Sequence, residues 1–374
     1  MQSYLSSAQP AHGGNLTWAA SLADCSPFSL LDFSASINPL GPPAGAIAAI
    51  QSSWETLRHY PDPAYRTLRQ ALADAHCLDP DWILPGNGAA ELLTWVGRDL
   101  AALKQTHLLT PGFGDYFRAI RAFGGTWHGA SLDMTHLPGE LPIPLTELPD
   151  SLALTNQGLL LNNPHNPTGW LFTRESLRPY LDTCALVVVD EAFMDFLGTH
   201  PAESVVDWVQ EFPNLVVVRS LTKFYSLPGL RLGYGIAHPD TLQRWQQWRD
   251  PWSVNSLAEV AAIAALADHD FQQRTWNWLP EARSQLWSGL NAIPGLQPFV
   301  GAANFLLVRA EVSVPTLQRR LLQEHQILIR DCMSFAELGD RYFRVAVRTV
   351  EENQRLLVAL QSVLSSFSAD AHGC

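Results

Sequence analysis

Short apolar runs alternate with amphipathic stretches through the middle of the chain, and this alternation sets the fold class. Apolar runs at Thr106–Thr110, Leu159–Asn162, Leu186–Asp190, Leu215–Arg219 and Leu232–Ile236 predict strands. Helical spacing predicts helices at Ala89–Ala102, Tyr116–Phe123 and Arg174–Leu181. Strands that alternate with helices, and that carry runs such as Val187-Val188-Val189, imply an α/β fold whose largely parallel sheet is covered on both faces. Upstream, helical patterns occupy Ala44–Leu57 and Tyr65–His76. Residues 1–30 read as irregular, and Asp32–Pro43 is rich in turn formers, so the start of the chain is expected to be an arm.

The last third has a different rhythm. A long helical region, Ser256–Asn291, precedes strand patterns at Asn304–Val308, Ile327–Arg330 and Tyr342–Val347, and a final helix fits Glu351–Leu364. This predicts a second, smaller α+β domain. The expected division is 1–43 as the arm and part of the small domain, 44–265 as the large domain, and 266–374 as the small domain. A chain of 374 residues is too long for one hydrophobic core, which agrees with two domains.

Composition narrows the function classes. Hydrophobic residues make up 47% and charged residues 16%, as in an ordinary globular protein. The formal net charge of -12 argues against nucleic acid as a partner, since phosphate backbones need basic surfaces. It does not exclude a small anionic substrate, because a few arginines can dominate one pocket. Cys25, Cys77, Cys184, Cys332 and Cys374 are widely spaced with no CxxC pair, so neither a disulfide framework nor a zinc site is expected. Met1–Gly14 lacks the basic start and apolar run of a secretory signal, and no apolar stretch reaches membrane-spanning length. A cytoplasmic location without membrane association is the expectation.

Four segments carry candidate chemistry: Asn162-Asn163-Pro164-His165-Asn166-Pro167-Thr168-Gly169, Asp190-Glu191-Ala192-Phe193, Ser220-Leu221-Thr222-Lys223, and Arg231. Singly they have bland readings, the first three as a turn, a strand-end cap and a surface lysine. Together they start at or near the ends of predicted parallel strands, where ligand sites gather. The turn Gly86-Asn87-Gly88-Ala89-Ala90-Glu91 runs into a helix and offers backbone N–H groups to an anion.

Asn166, Asp190, Ser220, Lys223 and Arg231 resemble the cofactor signature of the fold-type I enzymes of the aspartate-aminotransferase superfamily, which depend on pyridoxal 5′-phosphate. The resemblance covers nearly the whole chain. It implies that Lys223 binds the cofactor aldehyde covalently, that Asp190 pairs with the ring nitrogen, and that Asn166 donates to the ring O3′. It also implies that Ser220, Arg231, Gly88 and Ala89 hold the phosphate and that Phe113 stacks on the ring. Many aminotransferases of this superfamily carry tyrosine where Phe193 stands here, so O3′ would depend more on Asn166.

His12-Gly13-Gly14-Asn15, Asp32–Gly41 and Tyr60-Pro61-Asp62-Pro63 resemble the histidinol-phosphate aminotransferase branch, and within it they are most similar to the phosphothreonine decarboxylases of cobalamin biosynthesis. Ile329-Arg330-Asp331-Cys332 and Phe343-Arg344-Val345-Ala346-Val347-Arg348 support the same subgroup. The resemblance implies decarboxylation of O-phospho-L-threonine, with histidinol-phosphate-type transamination as the alternative. It assigns Arg330, Arg344, Arg348, His12 and Asn38 to the substrate. It places Tyr60 at the cofactor phosphate across a homodimer interface. Arg344 and Arg348 are four residues apart, so on a strand they would share a face. A third reading, a regulator domain joined to a DNA-binding module, is disfavoured by the acidic balance and by the lack of a basic helix-turn-helix extension before residue 30.

Overall fold

The structure is a computed structural model that describes residues 10, 12–135 and 138–371, with side chains to 367. Its strands in chain order are β1 (Leu31–Asp32), β2 (Ile83–Asn87), β3 (Thr106–Thr110), β4 (Trp127–Ser131), β5 (Gly158–Asn162), β6 (Leu186–Asp190), β7 (Leu215–Ser220), β8 (Leu232–Ala237), β9 (Leu296–Pro298), β10 (Phe305–Ala310), β11 (Ile327–Leu328), β12 (Arg330–Asp331) and β13 (Tyr342–Ala346). Two compact units form. The larger is Ile37–Glu281 with Val300–Asn304; the smaller takes the chain up to Ser36, Ala282–Phe299 and the residues from Phe305 onward.

In the larger unit a seven-stranded sheet runs β2-β8-β7-β6-β5-β3-β4. Only β8 is reversed: it pairs antiparallel with both β2 and β7, while every other pair is parallel. The Val187–Val189 and Val216–Val218 runs are buried, as both-face coverage requires. The helix Ala89–Ala101 lays Leu92, Leu93, Val96 and Leu100 into a core shared with Leu108, Leu160, Val188, Val216 and Val218. Each such side chain contributes about 1.5–3 kcal/mol by leaving water.

The expected strands in the sheet interior form within a residue or two of the predicted bounds. Both edges differ. β2 contains Pro85 and Gly86, which disfavour a strand, yet an edge tolerates a proline that donates no ladder bond. β4 reads Trp-His-Gly-Ala-Ser and is largely exposed, so its apolar signal is weak. The segment before residue 30 is not wholly irregular: Leu16–Ala23 is a helix, capped by the Asn15 side chain on the Trp18 N–H at 3.0 Å. The region from Ser256 is two helices, Ser256–Leu266 and His269–Asn291, the second started by Asp268 accepting from the Phe271 N–H. Helices Pro239–Trp248 and Val314–His325 also form where none was expected.

The smaller unit has an antiparallel sheet, β12-β13-β10-β9, and a parallel pair of β1 and β11. The expected strand Ile327–Arg330 is thus split between two sheets. The division between units falls at Glu281, inside the helix His269–Asn291, rather than near residue 265. The end of that helix packs on the C-terminal helix Val350–Ala371. A Cβ on Gly289 would lie 2.3 Å from a methyl of Leu357, and Asn353 donates to the Ala282 carbonyl at 3.3 Å. Residues 37–43 belong with the larger unit. Among the described residues no helix is long and apolar enough to cross a membrane.

Candidate active site

The register of the large sheet brings the four segments to one edge. Asn162 pairs with Asp190, and Asp190 with Val218; Ser220 pairs with Gly233, and Gly233 with Gly86. These are the carboxyl ends of β5, β6, β7 and β2. Because β8 runs the other way, its amino end lies at the same edge, and Arg231 stands just before it. Sequence order alone places Arg231 after Lys223; the reversed strand is what returns it to the pocket.

The phosphate-sized cup is built from glycine and arginine. Gly88 has φ +73°, and a Cβ there would stand 2.6 Å from Nη2 of Arg231, so only glycine lets the guanidinium lie against this backbone. The helix Ala89–Ala101 starts at that point, and its first N–H groups and dipole favour an anion. Arg231 has φ +57° and donates from Nη1 to the Pro228 carbonyl at 3.0 Å. Ser220 caps the short helix Leu221–Phe224, and its Oγ lies 2.8 Å from Oγ1 of Thr222. Thr222 therefore joins the hydroxyl pair beside Lys223, a role the sequence reading did not assign.

Asp190 ends β6 in a buried position. Its Oδ2 accepts from the Tyr116 hydroxyl at 2.8 Å and its Oδ1 from the Ala192 N–H at 2.9 Å. Burial raises this carboxyl to about 6, against which the two donors pull it down. A protonated ring nitrogen facing it would restore the ordinary carboxylate range. Tyr116 meets Phe113 edge to face at 5.5 Å, and so sets the ring that is expected to stack on the cofactor. Asn166 and Phe193 are both buried near this edge. Beneath them Arg219 pairs with Glu191 at 2.7 Å and Asp195 at 2.6 Å, a buried triad that fixes the Asp-Glu-Ala-Phe turn. A lysine, a buried acid, an aromatic ring and an anion cup on one strand edge fit pyridoxal 5′-phosphate.

Tyr60 is 79% exposed and stacks on Trp252 at 4.5 Å, so within one chain it does not close the cup. Asn38 is buried, with both side-chain N–H groups given to protein atoms of the larger unit, Phe224 O at 2.9 Å and Thr275 Oγ1 at 2.8 Å.

In the smaller unit Arg330 and Arg344 are direct partners across β12 and β13, and both are buried. Burial and the neighbouring Arg330 lower Arg344 to about 10. Arg330 donates to Ser334 Oγ at 2.6 Å and to the Pro10 carbonyl at 3.0 Å. Asp331 lies 3.7 Å from Arg330, and the two guanidinium groups together still form a cationic patch suited to an anion. His12 is exposed and lines a recess with Ser34, Arg330 and Asp331. Arg348 departs from the expectation of a shared strand face. β13 stops at Ala346, and Arg348 sits in the following turn, donating to Glu352 at 2.9 Å and to the Asp32 carbonyl at 3.2 Å.

Fold and site together define a fold-type I enzyme dependent on pyridoxal 5′-phosphate. The profile of the family described as aminotransferase class I and II matches residues 29–360, and the chain belongs to that family. It is 40% identical to the threonine-phosphate decarboxylase of Salmonella typhimurium, over 96% of this chain and 98% of that protein. The L-threonine-O-3-phosphate decarboxylase of Porphyromonas gingivalis superposes with TM-score 0.78 at 25% identity, covering 90% of this chain and 100% of that one. The histidinol-phosphate aminotransferase of Clostridium acetobutylicum superposes with TM-score 0.79 at 28% identity, again over 90% and 100%.

Proposed function

We propose that this enzyme converts O-phospho-L-threonine to (R)-1-amino-2-propanol O-2-phosphate and CO2. The observation that carries the reading is the buried cross-strand pair Arg330 and Arg344, backed by the Salmonella similarity. A substrate with a carboxylate and a phosphate brings about three negative charges near neutral pH, and planar guanidinium groups bind both through paired donors.

Lys223 would hold the cofactor aldehyde and Asp190 its ring nitrogen. Ser220, Thr222, Arg231 and the N–H groups after Gly88 would hold its phosphate, with Phe113 against the ring and Asn166 toward O3′. When bound, the cofactor supplies a protonated ring that accepts the electron pair of the breaking Cα bond. Which bond breaks is a matter of orientation, since only the bond perpendicular to the ring overlaps its π system. Arginines that grip the phosphate fix one end of the substrate, and the amine fixes the other. Held at both ends, the substrate would present its carboxylate as the group to be lost, and Lys223 or water would supply the proton that takes the place of CO2 at Cα. Phe193 has no hydroxyl and leaves the O3′ contact to Asn166.

A homodimer completes the assignment. Tyr60, Trp54 and Leu57 are 79%, 61% and 62% exposed, apolar side chains that a second copy would cover. Tyr60 would then reach the cofactor phosphate of the other copy. Sedimentation of a fully active monomer would exclude this arrangement.

The test of the reaction follows carboxyl-labelled phosphothreonine, with CO2 and 2-oxo acids measured in parallel. CO2 should be the main labelled product. The similarity to histidinol-phosphate aminotransferases supports a second reading, transamination. Rapid amino transfer from histidinol phosphate to 2-oxoglutarate, without CO2 from phosphothreonine, would establish it instead. Arg344→Gln should weaken phosphothreonine binding by about 3 kcal/mol, roughly a hundredfold in Kd, while cofactor affinity stays the same. Arg348→Gly should cost less, because Glu352 already occupies that guanidinium. Equal affinities for phosphothreonine in wild type and Arg344→Gln would remove Arg344 from the substrate site.

A further inference from the structure

Asn38 sits in the turn-rich run after Ile37 and is 2% exposed. Its backbone N–H donates to the Lys223 carbonyl at 3.1 Å, and its own carbonyl accepts from Ser226 Oγ at 2.6 Å. Its side-chain nitrogen donates to the Phe224 carbonyl at 2.9 Å and to Thr275 Oγ1 at 2.8 Å. Its side-chain oxygen accepts from the Leu40 N–H at 3.1 Å. An amide side chain has two N–H donors, and here both are given to protein acceptors. No donor is left over for a substrate carboxylate or phosphate.

The object of this grip is the turn that carries Lys223. Leu221–Phe224 is a helix of four residues, too short to be stable by itself, and the last carbonyls of any helix lack intrahelical partners. Asn38 binds two of the carbonyls here: that of Phe224 through its side chain, and that of Lys223 through its backbone N–H, alongside the N–H groups of Tyr225 and Ser226. The far end of the grip is Thr275, fully buried in the helix His269–Asn291, whose hydroxyl donates to the Phe271 carbonyl at 3.0 Å. Ser226, with φ +54°, closes the turn from the other side. The lysine backbone is thereby fastened to a helix that also packs Phe271 and Trp276 against Phe224 and donates from Gln272 to the Tyr225 hydroxyl at 3.1 Å.

We propose that Asn38 is a positioning residue for Lys223: it fixes the backbone from which the lysine reaches the cofactor and returns to Cα, and it does not contact substrate. The inference rests on Lys223 as the cofactor lysine. A lysine that must leave the cofactor and return to it depends on placement, and errors near 1 Å can cost on the order of a hundredfold in rate.

Asn38→Asp and Asn38→Ala remove both side-chain donors, the first at nearly constant shape. In the cofactor-loaded resting enzyme, the pH titration of the visible band reports the environment of the Lys223 nitrogen. Its midpoint should move by about one pH unit in these variants, since one lost hydrogen bond is comparable in energy to one unit of pKa. A second readout isolates the substrate. Borohydride-reduced enzyme cannot turn over, and its Kd for phosphothreonine, followed by fluorescence, should stay within about threefold of wild type, under 1 kcal/mol. A tenfold weaker Kd with an unmoved titration would overturn the proposal and make Asn38 a substrate ligand. Unmoved values in both would overturn it as well. If either Asn38 variant fails to fold, Thr275→Val loosens only the far anchor and should move the same midpoint in the same direction by a smaller amount; no movement there counts against the proposal. Peptide mapping of the reduced wild-type protein separates the two claims, because a label away from Lys223 defeats the lysine assignment itself.

Discussion

Lys223→Ala should give a protein that folds, stays colourless when supplied with pyridoxal 5′-phosphate, and turns over phosphothreonine roughly a thousandfold or more slowly, a barrier increase of about 4 kcal/mol or more. The chain has only two lysines, Lys104 and Lys223. Lys104 is exposed and lies just before Thr106, the first residue of β3, so it stands at the amino end of a parallel strand and faces the opposite edge of the sheet from the anion cup. Lys223 follows the carboxyl end of β7, three residues beyond Ser220. The half-buried turn that holds it is capped by Ser220 and packed by Leu221 and Phe224, so truncation to alanine removes a reactive amine without opening the core. Borohydride reduction of the loaded wild-type protein should place the cofactor on the peptide containing Lys223. Recovery of the label on Lys104, or a yellow Lys223→Ala protein with substantial turnover, would sink the assignment.

The parts of this architecture that were legible in the sequence are those where local pattern and tertiary burial agree. Leu186–Asp190 has an unbroken apolar run because the strand is covered on both faces, and its bounds follow directly. The placement of Lys223 and Asp190 at one end of the sheet was legible for the same reason: each follows such a run, and ligand sites gather at the strand ends of parallel sheets. The edges were not legible. A strand with one neighbour can include Pro85, because half of its ladder bonds meet no strand, and it can be as polar as Trp127–Ser131 where most of its residues are also exposed. Contacts between distant residues were also hidden. Tyr116 is 74 residues from Asp190, and nothing in its own helix marks it as the donor to that carboxylate. Asn38 could be picked out by resemblance as a site residue, but its partners are 186 and 237 residues away, and only their positions reveal that it grips the lysine turn. The expectation that Arg344 and Arg348 share a strand face failed through a smaller cause. The parity argument for Arg344 and Arg348 holds only on a strand, and the strand ends at Ala346, where the chain turns into the helix Val350–Ala371.

Asp190→Asn should retain the cofactor but slow decarboxylation by roughly a hundredfold or more, about 3 kcal/mol or more of barrier. The task proposed for the buried carboxylate, and one that an amide cannot perform, is to favour a proton on the ring nitrogen. Without that proton the ring is a weaker acceptor for the electron pair left when CO2 departs. The amide keeps the size of the side chain, and its oxygen can still accept from Tyr116 or Ala192, so folding should survive. The pH dependence carries the sign. Burial places Asp190 at about 6 in the empty protein, so its charged form, the one that pairs with a ring N–H, prevails above that pH and is lost below it. Cofactor affinity in wild type should therefore fall as the pH drops through 6, beyond whatever change the cofactor phosphate causes by its own titration. Asp190→Asn shares the phosphate titration but lacks the carboxyl, so the ratio of the two affinities isolates Asp190. Tyr116→Phe removes one donor that holds Asp190 in its charged form, which should move the fall in affinity to higher pH and reduce the rate by less than the Asp190 change does. Equilibrium dialysis of the cofactor against the three apoproteins between pH 5 and 8, about the range over which a carboxyl near 6 titrates, measures all of this. A constant wild-type to Asp190→Asn ratio over that range, together with decarboxylation within about threefold of wild type, under 1 kcal/mol of barrier, would show that Asp190 is not the partner of the ring nitrogen.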